Sequence, residues 1–280
     1  MPELSVIILT FNSIDFIKPC LDSVVRQGYA DTQVIVVDNG SSDGTVNSVK
    51  DEYPAVTLLK NEKNLGAARA RNMGIAAAAG KWIFTQDCDV VLEKGFFSQA
   101  MGLLKAAPED LGIVQPKILC SDKKTVYSCG IYLSHVLKRF YDVGKGRPDR
   151  GEFSEKRPVF GACSAAAFYR RSMLDKIKDA NGYFDERFFF LVEDVDLSWR
   201  ASQAGYKAVF LPDAVCYHRG DSSSTGGKLR QYLCWRNRRY LLAKLKLNKA
   251  ALAAIFLIYD LPRFIFLVLT NPYVRGRKGK

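Results

Sequence analysis

Short apolar runs alternate with amphipathic stretches along the first ninety residues, and this alternation limits the possible folds more than any single motif does. Leu4–Thr10 is a continuous apolar run, as expected of a strand buried on both faces, and it ends at Phe11-Asn12. Ser13–Gln27 carries helical spacing through Phe16, Leu21, Val24 and Val25 and stops at Gly28. Val34–Val37 and Val56–Leu59 repeat the strand pattern, with a short helix from Thr45 to Glu52 between them. Asn64-Leu65-Gly66 opens an alanine-rich helix that runs to Ala79 and closes at Gly80, and Trp82-Ile83-Phe84 begins a fourth strand. Strands and helices alternating at this pace predict an α/β fold with a Rossmann-like, mostly parallel sheet and right-handed crossovers.

The pattern is less regular beyond Phe96. A helix is expected over Gly95–Ala106, a strand over Gly112–Leu119, and a hairpin with a mobile loop over residues 120–158. Phe160–Tyr169 is rich in small residues, and Gly161-Ala162-Cys163 would let the backbone approach a ligand closely. A helix over Asp194–Gln203 and a strand over Ala208–Leu211 follow. Seven scattered cysteines without a CxxC pair argue against zinc and thioredoxin chemistry and suit a reducing cytoplasm. The N-terminus lacks a basic region, and its apolar run is too short for a signal peptide.

Several residues stand where chemistry is expected. Asp87 and Asp89 follow the fourth strand two positions apart, so extended backbone points both to the same side. Like charges this close favour a hard, oxygen-liganded cation, Mg²⁺ or Mn²⁺, at the carboxyl edge of the sheet, where open sheets bind ligands. The competing reading is a solvated acidic loop. Glu193, Asp194 and Asp196 open a helix, where acids complement the dipole. They also follow the apolar run Phe188–Val192, and burial there would make a good general base. Asp38 lies just past a strand and could cap a turn or accept a hydrogen bond from a base or ribose. Arg71, with Arg69 nearby, either faces solvent or turns toward a nucleotide. His218 follows a strand and precedes Arg219–Ser224, a stretch suited to closing over a site. There is no G-x-G-x-x-G, and Thr225–Lys228 falls short of a P-loop.

Five segments in one order resemble a known family: Val6–Asn12, Val37–Thr45, Asn64–Gly66 with Ala70–Gly74, Asp87–Asp89, and Glu193–Asp196. The order is similar to the family 2 glycosyltransferases with the GT-A fold. The form Phe190–Arg200 is most similar to a rhamnosyltransferase-like branch. The resemblance implies inverting transfer of a sugar, rhamnose in that branch, from a dTDP- or UDP-sugar to a hydroxyl of a saccharide or lipid-linked acceptor. It implies that Thr10, Asn12, Asp38, Asn39 and Arg71 serve the nucleotide, and that Asp87 faces the ribose or the metal. Asp89 would hold the divalent ion, His218 would contact the ion or the diphosphate, Asp194 would be the base, and Glu193 would orient the acceptor or the base. Asn39 stands where the family often has a second acid, which leaves the nucleotide contact mainly to Asp38. Cys234 stands where processive members carry Arg, which argues against a polymer synthase. Two other readings compete: a haloacid-dehalogenase-type phosphohydrolase using Asp87, and a non-catalytic membrane scaffold.

The formal charge of +12 is not spread evenly. Lys228–Lys280 carries thirteen Lys/Arg against the single acid Asp260. This divides the chain into a catalytic domain over residues 1–227 and a basic, amphipathic helical segment over residues 228–280. Apolar Ala250–Tyr259 and Phe264–Leu269 flank Asp260, Pro262 and Arg263, and central charges disfavour a span. Helices lying on an anionic membrane surface are expected, with the protein cytoplasmic and peripheral on the inner face of the membrane. Packing of these helices on the domain, or a homodimer contact, is the alternative. No nucleic-acid module accompanies the charge.

Overall fold

The computed structural model describes residues 2–220 and 226–274. Its first half follows the expected alternation: β1 (Leu4–Thr10), α1 (Ile14–Val25), β2 (Thr32–Asp38), α2 (Thr45–Glu52), β3 (Thr57–Lys60), α3 (Ala67–Ala77) and β4 (Trp82–Asp87). There follow β5 (Val90–Leu92), α4 (Phe96–Lys105) and the long β6 (Leu111–Cys120). Short strands β7 (Val126–Ser128), β8 (Ile131–Leu133), β9 (Phe140–Asp142) and β10 (Arg157–Val159) occupy the irregular middle. Next come β11 (Ala166–Arg170), α5 (Arg171–Ile177), a 3₁₀ turn at Glu186–Phe188, α6 (Glu193–Gln203) and β12 (Lys207–His218). The chain ends in α7 (Gly227–Lys244), α8 (Lys249–Ile255), a π-turn at Phe256–Asp260, and α9 (Leu261–Thr270).

The main sheet has the order β10-β12-β6-β11-β4-β1-β2-β3. β1 pairs in parallel with β2 and β4, β2 with β3, and β6 with β12. β11 runs antiparallel between β4 and β6, and the short β5, β7 and β10 are also antiparallel, on β12, β6 and β12. All five residues of β11 are buried, so its composition carries no sign of its direction.

Register places the functional ends together. Thr10 lies opposite Asp38, and Leu9 opposite Asp87, so β1, β2 and β4 finish at one edge. β6 and β12 are parallel to them through β11, and His218 therefore reaches the same edge. Side-chain alternation along β1 fills two cores. Leu4, Val6 and Ile8 pack with Trp82, Phe84 and helices α1 and α4, whereas Ile7 packs with Ile35, Val37, Ile83 and helices α3, α5 and α6.

The C-terminal helices share a third apolar cluster with the domain. Leu241 and Leu242 of α7, Leu245 just after it and Ile255 of α8 pack on Ile131, Phe188, Val192 and Val195. Lys249–Thr270 is continuously helical for 22 residues, long and apolar enough by length and composition to cross a membrane. Asp260 does not lie on its outer face: it is buried, and Arg238 Nε donates to it at 2.7 Å. The exposed face carries Phe256, Leu257, Ile258, Ile265, Phe266 and Leu269. The central acid that counts against a membrane span is thus turned inward, where it fastens this helix to α7.

Candidate active site

A cleft of about 400 Å³ opens at the carboxyl edge of the sheet. Its walls include Thr10, Asn39, Arg71, Asp87, Asp89, Glu193, Asp194 and His218, with Arg230 and Cys234 contributed by α7. Most of the residues singled out in the sequence thus converge, although they span more than two hundred positions.

At one end, a polar network joins the tips of β1 and β2. Asp38 is fully buried: Thr10 Oγ1 donates to Oδ1 at 2.9 Å, the Ser41 hydroxyl donates to the same oxygen, and the backbone N–H groups of Gly40 and Ser41 donate to Oδ2. Asn12 Oδ1 accepts from the Ser42 N–H at 2.9 Å. The Asn39 side chain is engaged within the protein: Nδ2 donates to Asn64 Oδ1 and the Gly66 carbonyl, and Oδ1 accepts from Asn61 Nδ2 and the Leu65 N–H. Thr10 and Asn39 reach the cleft wall, while Asp38 and Asn12 hold the loops behind it.

Arg71 crosses the middle of the site. Its guanidinium is 3 % exposed and donates to Asp87 Oδ1 at 2.8 Å and to Glu193 Oε1 at 2.7 Å. Burial alone would lower its pKa, but the two carboxylates hold it above its ordinary value. The salt bridge links the end of β4 to the start of α6, residues 106 positions apart. Glu193 Oε2 is buried with no hydrogen-bond partner among the described residues.

Asp89 and His218 form the third group. Asp89 Oδ1 lies 3.1 Å from His218 Nε2, and Oδ2 accepts from the Gly220 N–H. The Tyr127 ring packs edge-on against the imidazole, and His218 Nδ1 is buried with no hydrogen-bond partner among the described residues. Ligand atoms of Asp87, Asp89 and His218 all fall within 4.8 Å of one another. Ligands of one octahedral Mg²⁺ or Mn²⁺ lie about 3–4 Å apart, and such ions take oxygen and imidazole donors. The two carboxylates, with His218 Nε2 facing Asp89, therefore fit a divalent ion. The closing role expected of residues 219–224 falls largely on residues 221–224, outside the described residues.

Asp194 stands at the N-terminal turn of α6, partly buried, with Ser164 N–H donating to Oδ2 at 3.3 Å and Val195 N–H to Oδ1 at 2.8 Å. Burial, reinforced by the neighbouring Glu193 charge, pushes its pKa up to about 7. Glu193 is also raised, by burial, against the pull of Arg71. Asp196, the third acid, is fully buried and pairs instead with Arg200 and Lys244.

Two expectations need correction. Gly161 lies against α6, not a ligand, because a Cβ there would overlap the Ser198 hydroxyl; the ligand-facing stretch is Cys163–Ala165. The 120–158 region is not one hairpin: β7 joins the main sheet, and β8 and β9 form a separate two-stranded sheet. Ser41 and Asn64 lie in segments that carry the resemblance but were given no role there, and Asn61 and Asn237 were not singled out: Asn61 lies in an ordinary turn-forming run, and Asn237 is hidden in the basic run Arg236–Arg239.

Comparison with known proteins identifies the family and the fold. Residues 5–178 match the model of glycosyl transferase family 2. An N-acetylglucosaminyl-diphospho-decaprenol L-rhamnosyltransferase of Mycobacterium tuberculosis is 29% identical over 244 residues, covering 79% of this chain and 77% of that protein. Among solved structures, mannosyltransferase PcManGT from Pyrobaculum calidifontis, in complex with GDP-Man and Mn²⁺, superposes with a TM-score of 0.62 at 21% identity, over 99% of this chain and 72% of that one. S. aureus TarS 1-349 in complex with UDP-GlcNAc gives 0.60 at 19% identity, over 99% and 76%. These matches do not favour the phosphohydrolase reading of Asp87. The chain belongs to glycosyl transferase family 2 and is a glycosyltransferase of GT-A fold.

Proposed function

We propose that the protein is an inverting glycosyltransferase that moves a sugar from a nucleoside diphosphate-sugar, a dTDP- or UDP-sugar, to a hydroxyl of a lipid-linked saccharide. The observation that carries this reading is the placement of Asp194, a carboxyl of raised pKa, in the same cleft as the Asp87–Asp89–His218 cluster. The GDP-Man and UDP-GlcNAc complexes of the structural neighbours support a nucleotide-sugar donor, and the diphospho-decaprenol acceptor in the relative's name supports a lipid-linked one.

Thr10, Asn12, Asp38 and Asn39 shape the nucleotide end of the cleft, and Arg71 acts there through Asp87. Asp89, Asp87 and His218 would hold Mg²⁺ or Mn²⁺, which when bound supplies positive charge to the leaving diphosphate. Asp194 removes the proton from the acceptor hydroxyl. The acceptor oxygen bonds to the anomeric carbon as the carbon–oxygen bond to the diphosphate breaks, giving inversion in one displacement. Glu193, anchored by Arg71 through one oxygen, orients the acceptor with the other.

Residues 228–280 would bring this domain to the acceptor as a basic appendage on the cytoplasmic face of an anionic membrane. The exposed apolar face of α8–α9 supports contact with lipid, and its neighbouring lysines and arginines add about 1 kcal/mol each near anionic headgroups. To test the reaction, dTDP- and UDP-sugars are screened with Mn²⁺ for stabilisation of the protein, and the product of the donor that binds is analysed by NMR. An α-linked donor must give a β-linked product. Retained anomeric configuration would refute the single-displacement mechanism.

A further inference from the structure

We propose that Asn237, on the C-terminal helix α7, is a positioning residue for sugar transfer: it fixes the left-handed turn 189–192 that aims Glu193 and Asp194 into the cleft. The proposal rests on the reading of Asp194 as the base.

The turn is unusual in its backbone. Phe189, Leu191 and Val192 have φ of 64°, 69° and 74°, in the region that L side chains avoid, and Val192 is β-branched. Such a conformation persists only where its surroundings over-determine it. Here they do. The Asn237 carboxamide is fully buried, and its Nδ2 lies 2.9, 2.8 and 2.6 Å from the carbonyl oxygens of Phe188, Phe190 and Leu191. One amide nitrogen has two N–H groups, so three carbonyls converge on a donor that must be shared among them.

The amide is itself oriented. Arg236 Nε donates to Asn237 Oδ1 at 2.9 Å, and Arg236 Nη2 donates to the Phe188 carbonyl at 2.9 Å. Of the other two carbonyls of the turn, that of Phe189 is taken from the opposite side by the Ala68 N–H at 3.2 Å, and that of Val192 accepts from the Asp196 N–H at 3.1 Å. Gly66 packs so tightly there that a Cβ would come within 2.5 Å of the Phe189 ring. The turn is therefore held between α3, at the nucleotide end of the cleft, and α7. Val192 is the N-cap of α6, which has no side-chain cap, so the direction of its first two residues, Glu193 and Asp194, is set by this turn. Lys244 of α7 bridges Asp185 before the turn and Asp196 after it, at 2.8 and 2.5 Å. The segment that sequence composition marks as a membrane appendage thus also completes the catalytic end of the cleft.

The test uses the full-length protein. Asn237→Asp keeps the volume but puts an oxygen against three carbonyls. Turnover should fall about 100-fold, the scale of an ångström-sized misplacement, while the affinity for a nucleoside diphosphate with Mn²⁺ changes less than about threefold. The kcat–pH profile should also shift, because the enclosure of Asp194 changes. Arg236→Ala, which releases the amide and also removes the Arg236 bond to the Phe188 carbonyl, should lower turnover in the same direction by a smaller factor, and it serves if Asn237→Asp does not fold. Asn248→Ala removes a cap elsewhere on the same segment and should leave turnover unchanged. The proposal is overturned if both α7 variants retain wild-type kcat and pH profile, or if their loss merely follows the folded fraction. An inactive Asp194→Asn beside fully active α7 variants would reject the positioning role alone. A fully active Asp194→Asn would reject the base reading beneath it.

Discussion

Replacing Asp194 with Asn separates catalysis from stability in one variant. A carboxyl raised to about 7 keeps its proton where the unfolded chain, near 3.9, has already released it. Folding therefore takes up a proton between these values, and the stability present at acid pH is lost as pH rises through about 7. Linkage puts the growth of this loss at about 2–3 kcal/mol between about pH 5 and pH 8. Asn cannot ionise, so the variant should escape it. Asn keeps one acceptor oxygen of two, and loss of the longer bond, from Ser164 at 3.3 Å, costs about 1 kcal/mol at every pH. Urea unfolding at several pH values should show the variant gaining about 2–3 kcal/mol on the wild type from acid to alkaline pH. Turnover should fall by about 10²–10⁴ in the same protein, and wild-type kcat should rise with pH through about 7 as Asp194 becomes a base. Parallel stability profiles for the two proteins would refute the desolvated acid, and wild-type turnover in the variant would refute the base.

Asp89→Ala and His218→Ala should each weaken Mn²⁺-dependent nucleotide binding by at least about tenfold in calorimetry, with metal-free stability measured alongside; unchanged affinity in both would remove the metal assignment. Arg238→Met leaves Asp260 buried and unpaired and also takes hydrogen bonds from the Leu137 and Lys138 carbonyls, so denaturant unfolding should show a loss of about 3–5 kcal/mol. A loss under about 1 kcal/mol would mean that the pair does not fasten the helix. The protein should float with anionic vesicles and far less with neutral ones, and Leu257→Asp with Phe266→Asp should abolish flotation; equal flotation of that double variant would place the lipid contact elsewhere.

The sequence by itself determined the strand–helix alternation, the shared edge of β1, β2 and β4, and the presence of Thr10, Asp38, Asp87 and Asp89 at that edge. All of these follow from periodicity and from what terminates each strand, which are local properties. Only the tertiary structure decided that β11 inserts antiparallel beside β4, because strand direction depends on a partner eighty residues away, not on the composition of a wholly buried run. It also decided that Arg71 joins Asp87 to Glu193, that Asp260 turns inward to Arg238, and that Asn237 grips the turn before Asp194. A charged or amide side chain has the same sequence signature whether it meets water or a buried partner. Packing across long separations selects between them, because leaving a buried polar group without its partner costs stability.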